Sequence, residues 1–213
     1  MEIIKPNLDG ITECNTIKGV IREAKIRDMD VAYCLFNKCY EANVETDRLE
    51  FSSCEFKDCI CLNSKFEKVY FTDVLFENCD FSNTMFYECN FVRATFKNCK
   101  LVGSNFCNVN MYNILFDNSN ISYANLSLGT YKEVCFFESK LSNTNIQELI
   151  LKDVEFKNSN LIAAQLCRTN LNNIDFSTCD ITGVAISQEY IKGMHVNEMQ
   201  ALELSKLLGI VVV

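Results

Sequence analysis

Thirteen cysteines and a single histidine are the residues of this chain whose chemistry could go beyond packing. Thiolates bind metals and attack electrophiles, and imidazole moves protons near neutral pH. Their spacing favours neither use. No two cysteines form a Cys-x-x-Cys pair, and the odd total suits reduced thiols in a reducing compartment. Nine, among them Cys59, Cys79 and Cys99, fall on one recurring small apolar position and are expected to fill space. Cys61 takes a large apolar position, and only Cys107, Cys135 and Cys167 fall on outward ones. His195 has no second titrating residue to work with, and no HExxH, GxSxG, P-loop or GxGxxG occurs. The expectation is a protein without catalytic residues, metal or cofactor.

The remaining ionisable chemistry is acidic. Lys and Arg number 20 against 28 Asp and Glu, a net charge of −8, which argues against direct binding of nucleic acid or an anionic membrane. No apolar run approaches 18 residues, and MEIIKPNLDG lacks the basic and apolar regions of a signal peptide. A soluble cytoplasmic protein is expected.

What positions these groups is a period of five. From Phe51 to Ile191 a large apolar residue stands at every fifth position, as in Phe66, Phe71, Phe76, Phe81, Phe86, Phe91 and Phe96, for 29 consecutive pentapeptides. Two residues before each lies a smaller one, and the other three positions are mostly Asn, Asp, Ser, Lys and Glu. Five fits neither a helix nor a continuous strand, because positions i and i+5 share no face in either. Positions i−2 and i do share a face of a short extended piece. If the chain turns a corner at i+1 and i+2, both residues point inward, and repeated corners close a coil whose copies stack.

Four pentapeptides per coil place residues 20 apart above one another. One column is then Phe56, Phe76, Phe96, Phe116, Phe136, Phe156 and Phe176, and another runs Cys59, Cys79, Cys99, Ser119, Ser139, Ser159 and Cys179. Each ring contributes about 1.5–3 kcal/mol on burial. At the spacing of paired strands, seven such turns make a rod roughly 35 Å long. The expected class is all-β, a quadrilateral β-helix with one short C-terminal helix.

Outside the regular region, residues 1 to about 20 are expected to cover the open N-terminal end. The fives start weakly at Ile21, Ile26, Val31 and Phe36 and fail at Glu41 and Thr46, so segment 37–48 reads as a loop or distorted coil. Gly129, on an inward position, suggests a local irregularity. The solenoid is expected to span 1–193, with 194–213 forming a helix and tail. Asn197 serves as N-cap and Gly209 as stop, and the tail from Ile210 to Val213 is wholly apolar. That tail should cap the last coil and join a second copy across a two-fold axis.

The pattern in FSNTMFYECNF resembles the pentapeptide-repeat proteins, which form right-handed quadrilateral β-helices. MQALELSKLLGIVVV resembles the closing helix and tail of the quinolone-resistance (Qnr-type) group, and ISYANLS resembles another segment of it. The resemblance implies a homodimer joined through Met199, Leu202, Leu207, Leu208, Ile210 and Val212. It also implies action on DNA gyrase and topoisomerase IV, protecting them from fluoroquinolones. A longer mid-chain loop found in several members is missing here, since the fives run unbroken from Phe106 through Leu126. The wall carrying the Phe column holds Glu55, Asp58, Glu77, Asp117, Glu138, Glu155 and Asp175 against Lys57, Lys97 and Lys157, a net of −4. A rigid rod with one acidic wall can present phosphate-like charge to a protein that grips DNA. Asn78, Asn98 and Asn118 on that wall would form an amide ladder. The alternatives are a passive interaction scaffold and an immunity factor against a gyrase-targeting toxin.

Overall fold

The computed structural model describes residues 2–211, apart from the side chain of Leu208. Its strands are β1 (Thr12–Glu13), β2 (Val31–Ala32), β3 (Cys34–Asn37), β4 (Glu45–Asp47), β5 (Glu50–Lys57) and β6 (Lys65–Glu67). Then follow β7 (Tyr70–Glu77), β8 (Met85–Tyr87), β9 (Asn90–Lys97), β10 (Asn110–Asp117), β11 (Thr130–Phe137) and β12 (Ile150–Lys157). Two helices, α1 (Ile17–Arg27) and α2 (Glu198–Ser205), lie near the two ends.

All pairing is parallel, and from β2 onward it runs in steps of twenty, as where Phe51 faces Phe71, Phe71 faces Phe91 and Phe116 faces Phe136; β1 meets β3 at an offset of 22. One sheet runs β1-β3-β5-β7-β9-β10-β11-β12, and a second runs β4-β6-β8. The chain is therefore a four-sided parallel β-solenoid, as the period of five requires. The eight-residue strands each cover two walls, bending at Ser53, Asp73, Arg93, Asn113, Glu133 and Asp153. These corners have φ between 48° and 62°, and the other corners up to Asn173 repeat the left-handed turn. Asn and Asp tolerate that conformation, while Tyr123 and Leu128 adopt it at a steric cost.

The core is a set of columns. Phe36, Phe56, Phe76, Phe96, Phe116, Phe136, Phe156 and Phe176 stack in sequence with centroids 4.6–5.2 Å apart and ring planes within 4–27°. The ladder spacing of about 4.8 Å sets that separation, so one sheet parameter fixes the aromatic packing. The neighbouring column satisfies backbone groups. Cys59, Cys79 and Cys99 donate Sγ–H to Phe36, Phe56 and Phe76 O at 3.2–3.3 Å. Ser119 and Ser139 donate likewise to Phe96 and Phe116 O, and their Oγ atoms also accept the N–H of Cys99 and Ser119. Gly129 interrupts nothing: its O still accepts from Ile150 N at 3.0 Å. A Cβ there would collide with Val109 O and crowd the buried Tyr131 ring, which explains the glycine.

Four expectations need correction. Segment 37–48 is a regular coil: β4 pairs with β6, Tyr40 bridges Ile60, and Lys38, Asn43 and Arg48 form corners. Glu41 and Thr46 break the apolar pattern because this coil faces α1 on one side. The Glu41 carboxylate accepts the N–H groups of Ile17 and Lys18 at 2.6 and 3.0 Å, capping α1. The N-terminal plug is α1 itself, with Ile17 and Ile21 buried, so Ile21 and Ile26 belong to a helix; Ile26 points outward. Cys14 and Cys34, one coil apart, form a disulfide, against the expectation of thiols throughout. At the other end the coil continues past residue 193, since His195 bridges Asp175 and Met194 and Val196 pack on the core.

Candidate interaction surfaces

The Phe wall carries all seven predicted carboxylates, held by ladder hydrogen bonds rather than by loops. Lys57, Glu77, Lys97 and Asp117 occupy one outward column, a storey apart. Glu77 lies between Lys57 at 3.4 Å and Lys97 at 2.8 Å. Lys97, with Lys57 on the other side, holds the Glu77 carboxyl below the usual glutamate range. Glu155 pairs with Lys157 at 2.7 Å. Among the described residues Glu55, Asp58, Asp117, Glu138 and Asp175 form no ion pair, so they supply the wall's uncompensated charge.

Beside that column runs the amide ladder. Asn78 donates Nδ2–H to Asp58 Oδ1 at 3.0 Å, Asn98 to Asn78 at 3.2 Å, and Asn118 to Asn98 at 2.8 Å. Asp58 therefore terminates a hydrogen-bonded chain with an anion, and its orientation is set by the asparagines above it. The third outward column, Leu75, Thr95, Leu115 and Cys135, is uncharged and, apart from Thr95, apolar through the middle of the wall. The carboxylates thus frame a less polar centre, which summing charges along the sequence does not show.

His195 stands one storey above Asp175, a neighbour twenty residues away that goes unnamed when the coil is taken to end at 193. The Asp175 carboxyl is held low by the Ser177 hydroxyl and N–H and by His195. Asp175 and His195 are both exposed.

At the C-terminal end Asn197 caps α2 in a reciprocal pair with Gln200, as its type and place suggest. The structure adds that Gln200 is buried and donates Nε2–H to Phe176 O at 2.9 Å and Cys179 O at 2.7 Å. Asn197 donates to Ser177 O at 2.9 Å. Polar side chains thus close the last coil's carbonyls; Leu204 packs on the core, while four other apolar side chains of this end face away. Met199 is 72% exposed, Leu202 40%, Leu207 42% and Ile210 52%. Val212 and the side chain of Leu208 lie outside the described residues. No helix among those described is long and apolar enough to cross a membrane.

Two family models match the sequence. The pentapeptide repeat region matches residues 49–126 and 69–146, and pentapeptide repeats (8 copies) match 135–177 and 159–188. No curated protein matches the chain. Among solved structures, a trypsin-treated form of QnrB1, a plasmid-mediated fluoroquinolone resistance protein, is 19% identical over 86% of this chain and 91% of its own, with a TM-score of 0.43. Full-length QnrB1 is 14% identical over 83% of this chain and 100% of its own, with a TM-score of 0.34. HetL, a pentapeptide repeat protein involved in heterocyst differentiation regulation from the cyanobacterium Nostoc, is 12% identical over 85% and 95%, with a TM-score of 0.35.

Proposed function

This chain belongs to the pentapeptide-repeat family, and on that footing we propose that it binds DNA gyrase, topoisomerase IV or both as a DNA mimic and shields them from quinolone-type inhibitors. The observation that carries the reading is the Phe wall, where five carboxylates without ion-pair partners among the described residues stand on a ladder-paired backbone. Such preorganised charge suits a protein surface evolved to hold phosphates and needs no turnover. The resemblance of the C-terminal segment to the Qnr-type group supports the same partner.

The charge density sets a quantitative expectation. B-DNA carries one charge per about 1.7 Å, whereas carboxylates on successive storeys lie about 4.8 Å apart. Binding should therefore weaken with salt, but with a shallower slope than DNA shows for the same enzyme. The exposed apolar residues Met199, Leu202, Leu207 and Ile210, continued by Leu208 and Val212 in sequence, form the proposed two-fold contact. A dimer joined there doubles the rod and presents two acidic walls.

A supercoiling assay with purified gyrase and ciprofloxacin tests the reading. Addition of this protein is expected to restore supercoiling, and charge reversal at Asp117 and Glu138 to abolish the rescue. Gyrase that is neither rescued nor inhibited at any stoichiometry would leave a passive scaffold as the function.

A further inference from the structure

The N-terminal segment does not lie over the end of the rod. Residues 2–8 run along its outside, beside the Phe wall. Asn7 N–H donates to Asp73 Oδ1 at 3.1 Å, and Ile4 N–H to Asn113 Oδ1 at 2.6 Å. Asp73 and Asn113 are two storeys apart on one corner, so the segment climbs the rod and crosses three coils. Both anchors are themselves fixed. Arg93 pairs with Asp73 through Nε at 2.8 Å, and Asn113, only 1% exposed, donates Nδ2–H to Glu133 at 3.0 Å.

What the segment covers is visible in burial. Thr95 and Cys135 occupy an outward position of the Phe wall yet are 8% and 6% exposed. At the matching position of the other three walls no described residue is buried, and on the Phe wall itself Asp175, beyond the segment's reach, is exposed. Ile3, Pro6 and Leu8 are half-buried while Glu2, Ile4, Lys5 and Asn7 are exposed. The column Leu75, Thr95, Leu115 and Cys135 stands two residues past the corner row at which Asp73 and Asn113 hold the amino-terminal stretch.

The seat is light. Among the described residues, two backbone N–H bonds and three partly buried side chains hold the segment, and no strand pairing includes it. Its root, by contrast, is firm: β1 pairs with β3, and Cys14 is bonded to Cys34. Between root and segment stands Gly10, in the left-handed region at φ +81° with open space around it. A weakly held segment on a fixed root with a permissive turn between them opens without unfolding the coil.

We propose that residues 2–8 are a displaceable strap that occupies the apolar column of the Phe wall and must leave before a partner can lie flat against that wall. The gating half of this proposal rests on the Phe wall being the partner's side; the displaceable seat does not.

Cys135 reports the strap directly. Burial raises its thiol pKa, so it is slow to react in place. Peptide-resolved alkylation of the full chain should label the half-buried Cys107 and Cys167 first, Cys135 more slowly, and Cys59 and Cys79 not at all. Removing residues 2–8 should accelerate Cys135 about tenfold while Cys59 and Cys79 stay protected, which shows that the coil is intact. Asn113→Ala, which keeps the strap but removes the Ile4 acceptor, should give about a threefold acceleration. A Cys135 rate that truncation does not change, or one as slow as that of Cys59 in the full chain, overturns the displaceable strap. In the gyrase assay the truncated chain should reach half-maximal effect at about one third of the full chain's concentration. An equal or higher requirement overturns the gating. If gyrase ignores both forms while Cys135 behaves as stated, the topoisomerase reading falls and the strap stands.

Discussion

The two ends of the rod solve the same problem in opposite ways. A stacked coil leaves an open edge of backbone and apolar surface at each terminus. At the N-terminal end α1 lays Ile17 and Ile21 onto the first coil and turns Lys25 and Arg27 to solvent, while Glu41 of that coil closes the helix's own amide groups. At the C-terminal end α2 contributes a buried glutamine and exposes Met199 and Leu202, and the turn and tail after it expose Leu207 and Ile210. The first end buries the apolar face of its helix and leaves Ile26 outside; the second covers its carbonyls with a polar side chain, packs Leu204 and leaves four apolar side chains exposed. A second copy of the same end supplies matching surface by symmetry.

Breaking the proposed contact should have the largest effect. Light scattering is expected to give twice the 24.4 kDa chain mass, and Met199→Glu with Leu202→Glu should reduce it to one chain. A native chain that already measures as a monomer at micromolar concentration would erase the contrast between the ends. Next comes the apolar plug. Ile17→Ala removes a fully buried side chain and should cost about 2–5 kcal/mol in denaturant unfolding, with no change in oligomeric state. Gln200→Ala should cost about 1–3 kcal/mol, because two carbonyls of the last coil lose their donor. If Gln200→Ala were the costlier of the two, the division into apolar and polar caps would be wrong.

The smallest effect is a pH dependence confined to the C-terminal end. The Asp175 carboxyl is held below the ordinary aspartate range in the folded state, first by Ser177 and then by His195. A depressed folded pKa contributes stability above the unfolded aspartate range, and that contribution disappears as pH falls below it. Asp175→Asn should lower the neutral plateau and leave stability at the acid end unchanged, so that the acid limb flattens. A variant whose acid limb superimposes on that of the native chain would show that Ser177 and His195 do not bind the charge.

The period of five was sufficient for the walls, the Phe column and the Asn78–Asn98–Asn118 ladder, because each follows from stacking alone. End effects were not legible by that route. Glu41 and Thr46 look like a broken repeat because pattern reading assumes another coil on both sides, and here one side is a helix. The spacing that merely stacks Cys59 on Cys79 is also the spacing that bonds Cys14 to Cys34, so sequence separation cannot tell them apart. Gln200 reads as one more helix former until the carbonyls beneath it are seen. The strap has no periodicity at all; its seat is decided by Asp73 and Asn113, far along the chain.

The closure of a full turn in four pentapeptides has a consequence for how such chains can change. Duplicating twenty residues would add one storey and leave every downstream charge on its own wall. Duplicating a single pentapeptide would swing everything after it through a quarter circle, carrying Asp117 and Glu138 round to the adjoining side while each inward residue stayed inward. Gains and losses of five residues are therefore a dial for the azimuth of surface features, set independently of the packing beneath.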